Sequence, residues 1–221
     1  MISSHHPIEV EIRGEVSVKK IPALARKLAT LGFTHASSTK RTSVMSFGTV
    51  SCGANDRHRV KGKKRDGIDI RCRVTNGRAE VVAKIGQTDA ANRVEIAIPV
   101  SQSDMIHFAQ LFGATPLFTK VGSKKTDNFS KDGVVVSLVT SPSGLAYVEI
   151  EMMSTRKRER KDIKTLHALA KVLDLHLWKT RAAFLTFCNK LTKRDDWMFE
   201  GTPTQIKRLT HEIAQTGSAI P

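Results

Sequence analysis

Two short stretches place glutamates two residues apart between apolar side chains: Ile8-Glu9-Val10-Glu11-Ile12-Arg13 and Tyr147-Val148-Glu149-Ile150-Glu151. Alternation with a period of two predicts half-buried strands, with both carboxylates on one face and Ile and Val on the other. Carboxylates about 6.6 Å apart along a strand repel one another at low dielectric unless metal ions or basic side chains neutralise them. Four such groups point to a divalent-metal site built on oxygen ligands.

The same parity applies to other segments. Arg13 shares a face with Glu9 and Glu11, and matching polar rows are Asp69, Arg71 and Arg73, then Glu80 and Lys84, then Arg93 and Glu95. The opposite faces are apolar, as in Ile68, Ile70, Cys72 and Val74, or Val94, Ile96 and Ile98. An ordinary half-exposed sheet also alternates, but these rows are dominated by Arg and Glu rather than by Ser, Thr, Lys and Gln. A sheet closing into a barrel would gather them around a polar lumen, where glutamates hold a divalent cation while Arg and Lys grip phosphate oxygens. A triphosphate, with about four negative charges near neutrality, asks for both kinds of group at once.

The elements that position these residues follow from local pattern. A strand from Ile8 to about Arg13 leads through Gly14 to a helix from Ile21 to Gly32, with Pro22 in its first turn. The next segment, ending in the basic run Arg57 to Arg65, reads as a loop. An antiparallel meander follows: Ile68 to Val74, a turn at Asn76-Gly77, Ala79 to Ile85, a turn near Gly86 to Asp89, and Arg93 to Val100. A helix over Gln102 to Gly113 is capped by Ser101 or Ser103. Strands at Leu117 to Lys125, Val134 to Val139 and Ala146 to Met152 are separated by turns at Lys131-Asp132-Gly133 and Ser141-Pro142-Ser143-Gly144. From Asp162 onward the spacing is helical, with a last helix from Thr202 and Pro203 to about Gln215. Trp178, Phe184, Phe187 and Trp197 read as packing of these terminal helices.

The 221-residue chain, 40% hydrophobic, is long enough for one substantial core: residues 1–200 read as one domain and 201–221 as a helix and tail. Thirty-six Lys and Arg against 21 Asp and Glu, a formal net charge of +15, favour partners dense in phosphate. Cys52, Cys72 and Cys188 lack the spacing of a zinc site or disulfide framework, which predicts a reducing, cytoplasmic setting. No apolar run approaches the ~18 residues of a membrane span.

In motif order the chain resembles the CYTH, or triphosphate tunnel metalloenzyme, superfamily, over about residues 8–190. Glu9-Val10-Glu11-Ile12-Arg13 is similar to its opening E-x-E-x-K signature, Ile70 to Arg73 to its L-R-x-R strand, and Val81 to Gly86 to its L-x-x-K-G strand. Arg93-Val94-Glu95 resembles its R-x-E segment, followed in order by Leu111-Phe112-Gly113, by Lys120 and Lys124-Lys125, and by Gly144 to Glu151. Two departures stand out. Arg13 replaces the usual lysine, and Leu138-Val139 occupies a pair that commonly carries an acid.

The resemblance implies an α+β fold, an eight-stranded antiparallel β-barrel with flanking helices and a helical C-terminus. It implies Mg²⁺ or Mn²⁺ held by Glu9, Glu11, Glu149 and Glu151, with Glu95 and Glu149 in catalysis. Phosphates would be held by Arg13, Arg71, Arg73, Lys84, Arg93, Lys120 and Lys124. The activity implied is hydrolysis of the terminal phosphate of tripolyphosphate, a nucleoside or thiamine triphosphate, or 5′-triphosphate RNA. The alternatives are a class IV adenylyl cyclase forming cyclic AMP from ATP and a non-catalytic polyanion- or RNA-binding protein. The basic runs at 57–65 and 156–161 offer nucleic-acid contact.

Overall fold

The structure, a computed structural model, describes residues 8–48, 68–85, 94–115 and 117–217, without the side chains of Ile68, Lys84, Ile85, Val94, Glu95 and Arg181. The basic run 57–65, the turn at 86–89 and Arg93 lie outside the described residues. The fold is α+β. Among the described residues, nine strands form an antiparallel sheet in the order β1-β8-β7-β6-β2-β3-β4-β5, with β9 paired to β6. That order has two ends, so the sheet is not closed as the expected eight-stranded barrel would be.

Contacts divide the chain into two compact units, residues 1–39 with 124–194 and residues 40–123 with 195–221. The first contains β1 (Ile8–Ser17), a short 3-10 turn at Val18–Lys20, α1 (Ile21–Thr30), β7 (Val134–Thr140), β8 (Leu145–Ser154), α3 (Glu159–Val172) and α4 (Arg181–Arg194). β2 (Thr34–Gly48) and β6 (Phe118–Lys131) run through both units. The second adds β3 (Ile68–Thr75), β4 (Arg78–Ile85), β5 (Val94–Val100), α2 (Gln102–Gly113), β9 (Trp197–Met198) and α5 (Pro203–Gly217).

In the first unit, period-two alternation turns Val10, Val148, Ile150, Val136 and Leu138 to one face of the sheet. There they meet Leu24 and Leu28 of α1 and Leu166 and Ala170 of α3. The second unit packs Val44, Cys72, Val74 and Val121 under Met105 and Ala109 of α2 and Leu209 and Ile213 of α5. Burial pushes the Cys72 thiol up to about 12, far from a reactive thiolate.

Tight turns lie where expected. Asn76 (φ 48°) and Gly77 (φ 80°) join β3 to β4, and Asp132 (φ 49°) and Gly133 (φ 78°) join β6 to β7. Ser101 caps α2 by accepting the Asp104 N–H at 3.0 Å.

Several boundaries differ from expectation. β1 continues past Arg13 to Ser17, because Gly14 stays extended and pairs with Leu177. The segment 34–48, read as loop, is a 15-residue strand rich in Ser and Thr. Its buried hydroxyls find partners within the second unit: Thr42 with Ser123 at 2.9 Å, and Ser46 with Thr119 at 3.0 Å. Polar side chains satisfied in this way leave no apolar alternation to read. Ile96 and Ile98, on the apolar side of β5, are 50% and 57% exposed.

Candidate carboxylate and cation site

β1 and β8 pair antiparallel, with Glu11 opposite Glu151 and Arg13 opposite Glu149. The odd-numbered residues of both strands share the face away from the helices, so the pairing brings the two glutamate motifs side by side. The Arg13 guanidinium forks onto Glu11, Nε to Oε1 and Nη2 to Oε2, both at 2.5 Å. Nε also lies 3.1 Å from Glu149 Oε1. One planar cation thereby bridges carboxylates from two strands, a geometry that the point charge of lysine would not reproduce.

One guanidinium does not balance four glutamates. Burial and the charge of Glu149 outweigh the Arg13 contact and push Glu11 up to about 7. Glu151 is pushed up to about 8 by burial, by a hydrogen bond to Glu9 and by the charges of Glu9, Glu11 and Glu149. Burial alone would lower Arg13, but Glu149 and Glu11 together hold it above its ordinary value.

The donor set is chemically suited to a hard divalent cation, being all carboxylate oxygen and short of positive charge. Its arrangement is centred on Arg13. Among the described residues no three carboxylate, histidine or cysteine groups converge as metal ligands. Both oxygens of Glu11 are taken up by the guanidinium.

A polar row crosses the same face of the first unit. Glu149 stands opposite Ser137 of β7. The Ser137 hydroxyl donates to Asn128 Oδ1 at 2.7 Å, and Asn128 Nδ2 donates to Ser37 at 2.9 Å. One step along, Tyr147 stands opposite Val139, and its hydroxyl accepts from Lys124 Nζ at 3.1 Å. Tyr147 could have been read from the sequence, since it precedes Glu149 by two and shares its face.

The strand end is fixed by contact with the segment before α4. The Trp178 N–H donates to the Arg13 carbonyl at 2.9 Å. A Cβ on Gly14 would lie 2.3 Å from the His176 carbonyl oxygen, so only glycine permits this approach. Trp178 then packs on Phe184, Phe187 and Tyr147, with Phe184 5.5 Å from the Arg13 guanidinium carbon.

Of the other predicted phosphate ligands, Arg71, Arg73 and Lys120 lie in the second unit and are engaged by acids. Arg71 forks onto the buried Asp69 with both contacts at 2.8 Å, and Arg73 pairs with Glu80 at 2.6 Å. Lys120 pairs with Asp196 at 2.5 Å, a partner that no local pattern foretold. The backbones of Lys84 and Glu95 are directly opposed across β4 and β5.

No protein-family model matches this sequence, and no curated protein matches it. Solved structures do share its fold. The PH1012 protein of Pyrococcus horikoshii OT3 superposes with a TM-score of 0.57 at 15% identity, over 78% of this chain and 96% of its own. The PH1819 protein of the same organism gives 0.57 at 16%, over 82% and 99%. A Vibrio parahaemolyticus protein provisionally named an adenylate cyclase gives 0.56 at 14%, over 81% and 98%.

Proposed function

We propose that this chain is a CYTH-type, divalent-metal-dependent phosphohydrolase that releases the terminal phosphate of a triphosphate. The supporting observation is the β1–β8 constellation, in which Arg13 bridges Glu11 and Glu149, Glu151 hydrogen-bonds to Glu9, and Glu11 and Glu151 are pushed up to about 7 and about 8. A pure anion-binding surface would gain only repulsion from such a set. In this reading the four glutamates hold Mg²⁺ or Mn²⁺. When bound, the cation polarises phosphoryl oxygens and offsets charge on the leaving diphosphate.

The chain's own residues supply the rest. Arg13 passes from carboxylate to phosphate oxygens, keeping its planar fork. Arg71, Arg73, Lys84, Arg93, Lys120 and Lys124 bind the remaining phosphates, with Arg71, Arg73 and Lys120 exchanging acidic partners and Lys124 its phenolic one for substrate. Glu95 and Glu149 orient the attacking water and accept its proton.

The test is phosphate release from tripolyphosphate, ATP, thiamine triphosphate and 5′-triphosphate RNA, each with Mg²⁺ or Mn²⁺. Release from at least one, lost in Glu9→Ala and Glu149→Ala, is expected. Cyclic AMP from ATP would select the class IV cyclase in its place. Tight binding of every substrate without turnover would select the non-catalytic polyanion binder.

A further inference from the structure

We propose that the outer surface of the α1–α3 layer docks the phosphodiester backbone of a nucleic acid. α1 and α3 bury Leu24 and Leu28, and Leu166 and Ala170, in one apolar cluster on one side of the first unit's sheet, while the carboxylates occupy the other side. The period of each helix then turns its polar residues outward. On α3 these are Arg160, Lys161, Lys164 and Lys171, all exposed; on α1 they are Arg26 and Lys27, also exposed. Arg160, Lys164 and Lys171 share one helical stripe, with adjacent turns about 5.4 Å apart.

Acidic residues are sparse on this surface, the exposed Asp174 lying just past the C-terminus of α3 beside Lys171. The sequence of α1 contains none. The two in α3, Glu159 and Asp162, sit in its first turn. There Asp162 is buried, accepts from the Ser154 hydroxyl at 2.6 Å and takes up Arg158 at 3.3 Å. The carboxylate cluster with Arg13 thus lies on one face of the sheet, and the helical layer on the other is predominantly basic. A phosphate backbone complements such a surface directly, with affinity coming from counterion release.

A membrane surface fits less well. An interfacial helix presents large apolar side chains to the bilayer, whereas Ile163, Leu166 and Leu169 of α3 pack into the cluster beneath it. The inference stands independently of triphosphate hydrolysis, because none of these six residues belongs to the carboxylate site.

The full chain is titrated into fluorescent single-stranded RNA, single-stranded DNA and duplex DNA across a range of KCl, with phosphatidylserine vesicles in parallel. The variant Arg160→Gln/Lys161→Gln/Lys164→Gln/Lys171→Gln should weaken nucleic-acid binding more than about tenfold at low salt. It should also make the slope of log K against log salt shallower by about 3, from four contacts at roughly 0.7–0.9 each. A control that neutralises the exposed Arg78, Lys193 and Lys207 should leave binding within about twofold, and thermal melting should confirm that both variants remain folded. The proposal is overturned if wild type binds no nucleic acid, if the α3 variant binds like wild type, or if vesicles or an acidic peptide compete equally well. The three nucleic acids distinguish RNA from DNA as the source of the backbone.

Discussion

Arg13 stands opposite Glu149 across the β1–β8 pair and reaches back along its own strand to Glu11, so a single guanidinium ties both glutamate motifs together. Its replacement by lysine would retain the charge but not the fork. Arg13→Lys is expected to lower kcat/KM for triphosphate hydrolysis by about tenfold, and Arg13→Ala by about 10²-fold or more, as for the loss of a preorganised charge-stabilising donor. Steady-state phosphate release measures both, and equal activity of Arg13→Lys and wild type would remove the fork from the mechanism.

The glutamates should not be interchangeable with neutral groups. Glu149→Gln and Glu11→Gln keep shape but withdraw charge, so each is expected to weaken Mn²⁺ binding by about 10-fold or more. Isothermal titration with Mn²⁺ reads this without any substrate. Undiminished affinity in both variants would place the cation elsewhere.

Stability in metal-free buffer should depend on pH in a defined direction. Glu11 and Glu151 carry folded-state values raised from 4.5 to about 7 and about 8. Their contribution is therefore fully present below the unfolded value and is lost as pH rises through the folded ones. The expected result is a falling Tm between about pH 5 and pH 8.5 in EDTA, with a shallower fall in Glu151→Gln. A wild-type profile that rises across this window, or one unchanged by Glu151→Gln, would contradict the assignment.

Gly14→Ala should be destabilising far beyond an ordinary strand substitution, because its Cβ would meet the His176 carbonyl oxygen at 2.3 Å. A loss of roughly 1–3 kcal/mol is expected from overpacking, read as a lower urea midpoint. The adjacent Arg13 backbone would shift with it, so catalytic loss should accompany the loss of stability.

In the second unit, Ser46→Ala removes one partner of the buried Ser46–Thr119 pair and should cost about 1 kcal/mol. Combining it with Thr119→Val should cost less than the sum of the single changes, since no hydroxyl is then left seeking a partner. Urea denaturation of the two singles and the double closes the cycle.

These residues also explain what could be read from the sequence. The β1 and β8 carboxylates were legible because a strand repeats every two residues, so Glu9, Glu11, Glu149 and Glu151 announced both their strand and their face. The hairpins were legible because Asn76-Gly77 and Asp132-Gly133 are chemically suited to positive φ. β2 was not, because Thr42 and Ser46 are buried through hydroxyl pairing and carry no apolar signal. The reach of β1 beyond Arg13 was hidden too, since Gly14 reads as a break unless the approach of His176 is known. The two-residue β9 and the Asp196 partner of Lys120 depend on contacts between distant parts of the chain, which no local window contains.

The pairing of β1 with β8 also imposes an order on synthesis. Glu9 and Glu11 leave the ribosome ahead of Glu149 and Glu151, which follow only after the whole 40–123 portion of the second unit has been made. During translation the first strand waits with its acidic face unassembled until β8 has emerged. Contacts so remote in sequence are slow to close. A chain truncated before residue 149 would retain Glu9, Glu11 and Arg13 but neither of their β8 glutamate partners.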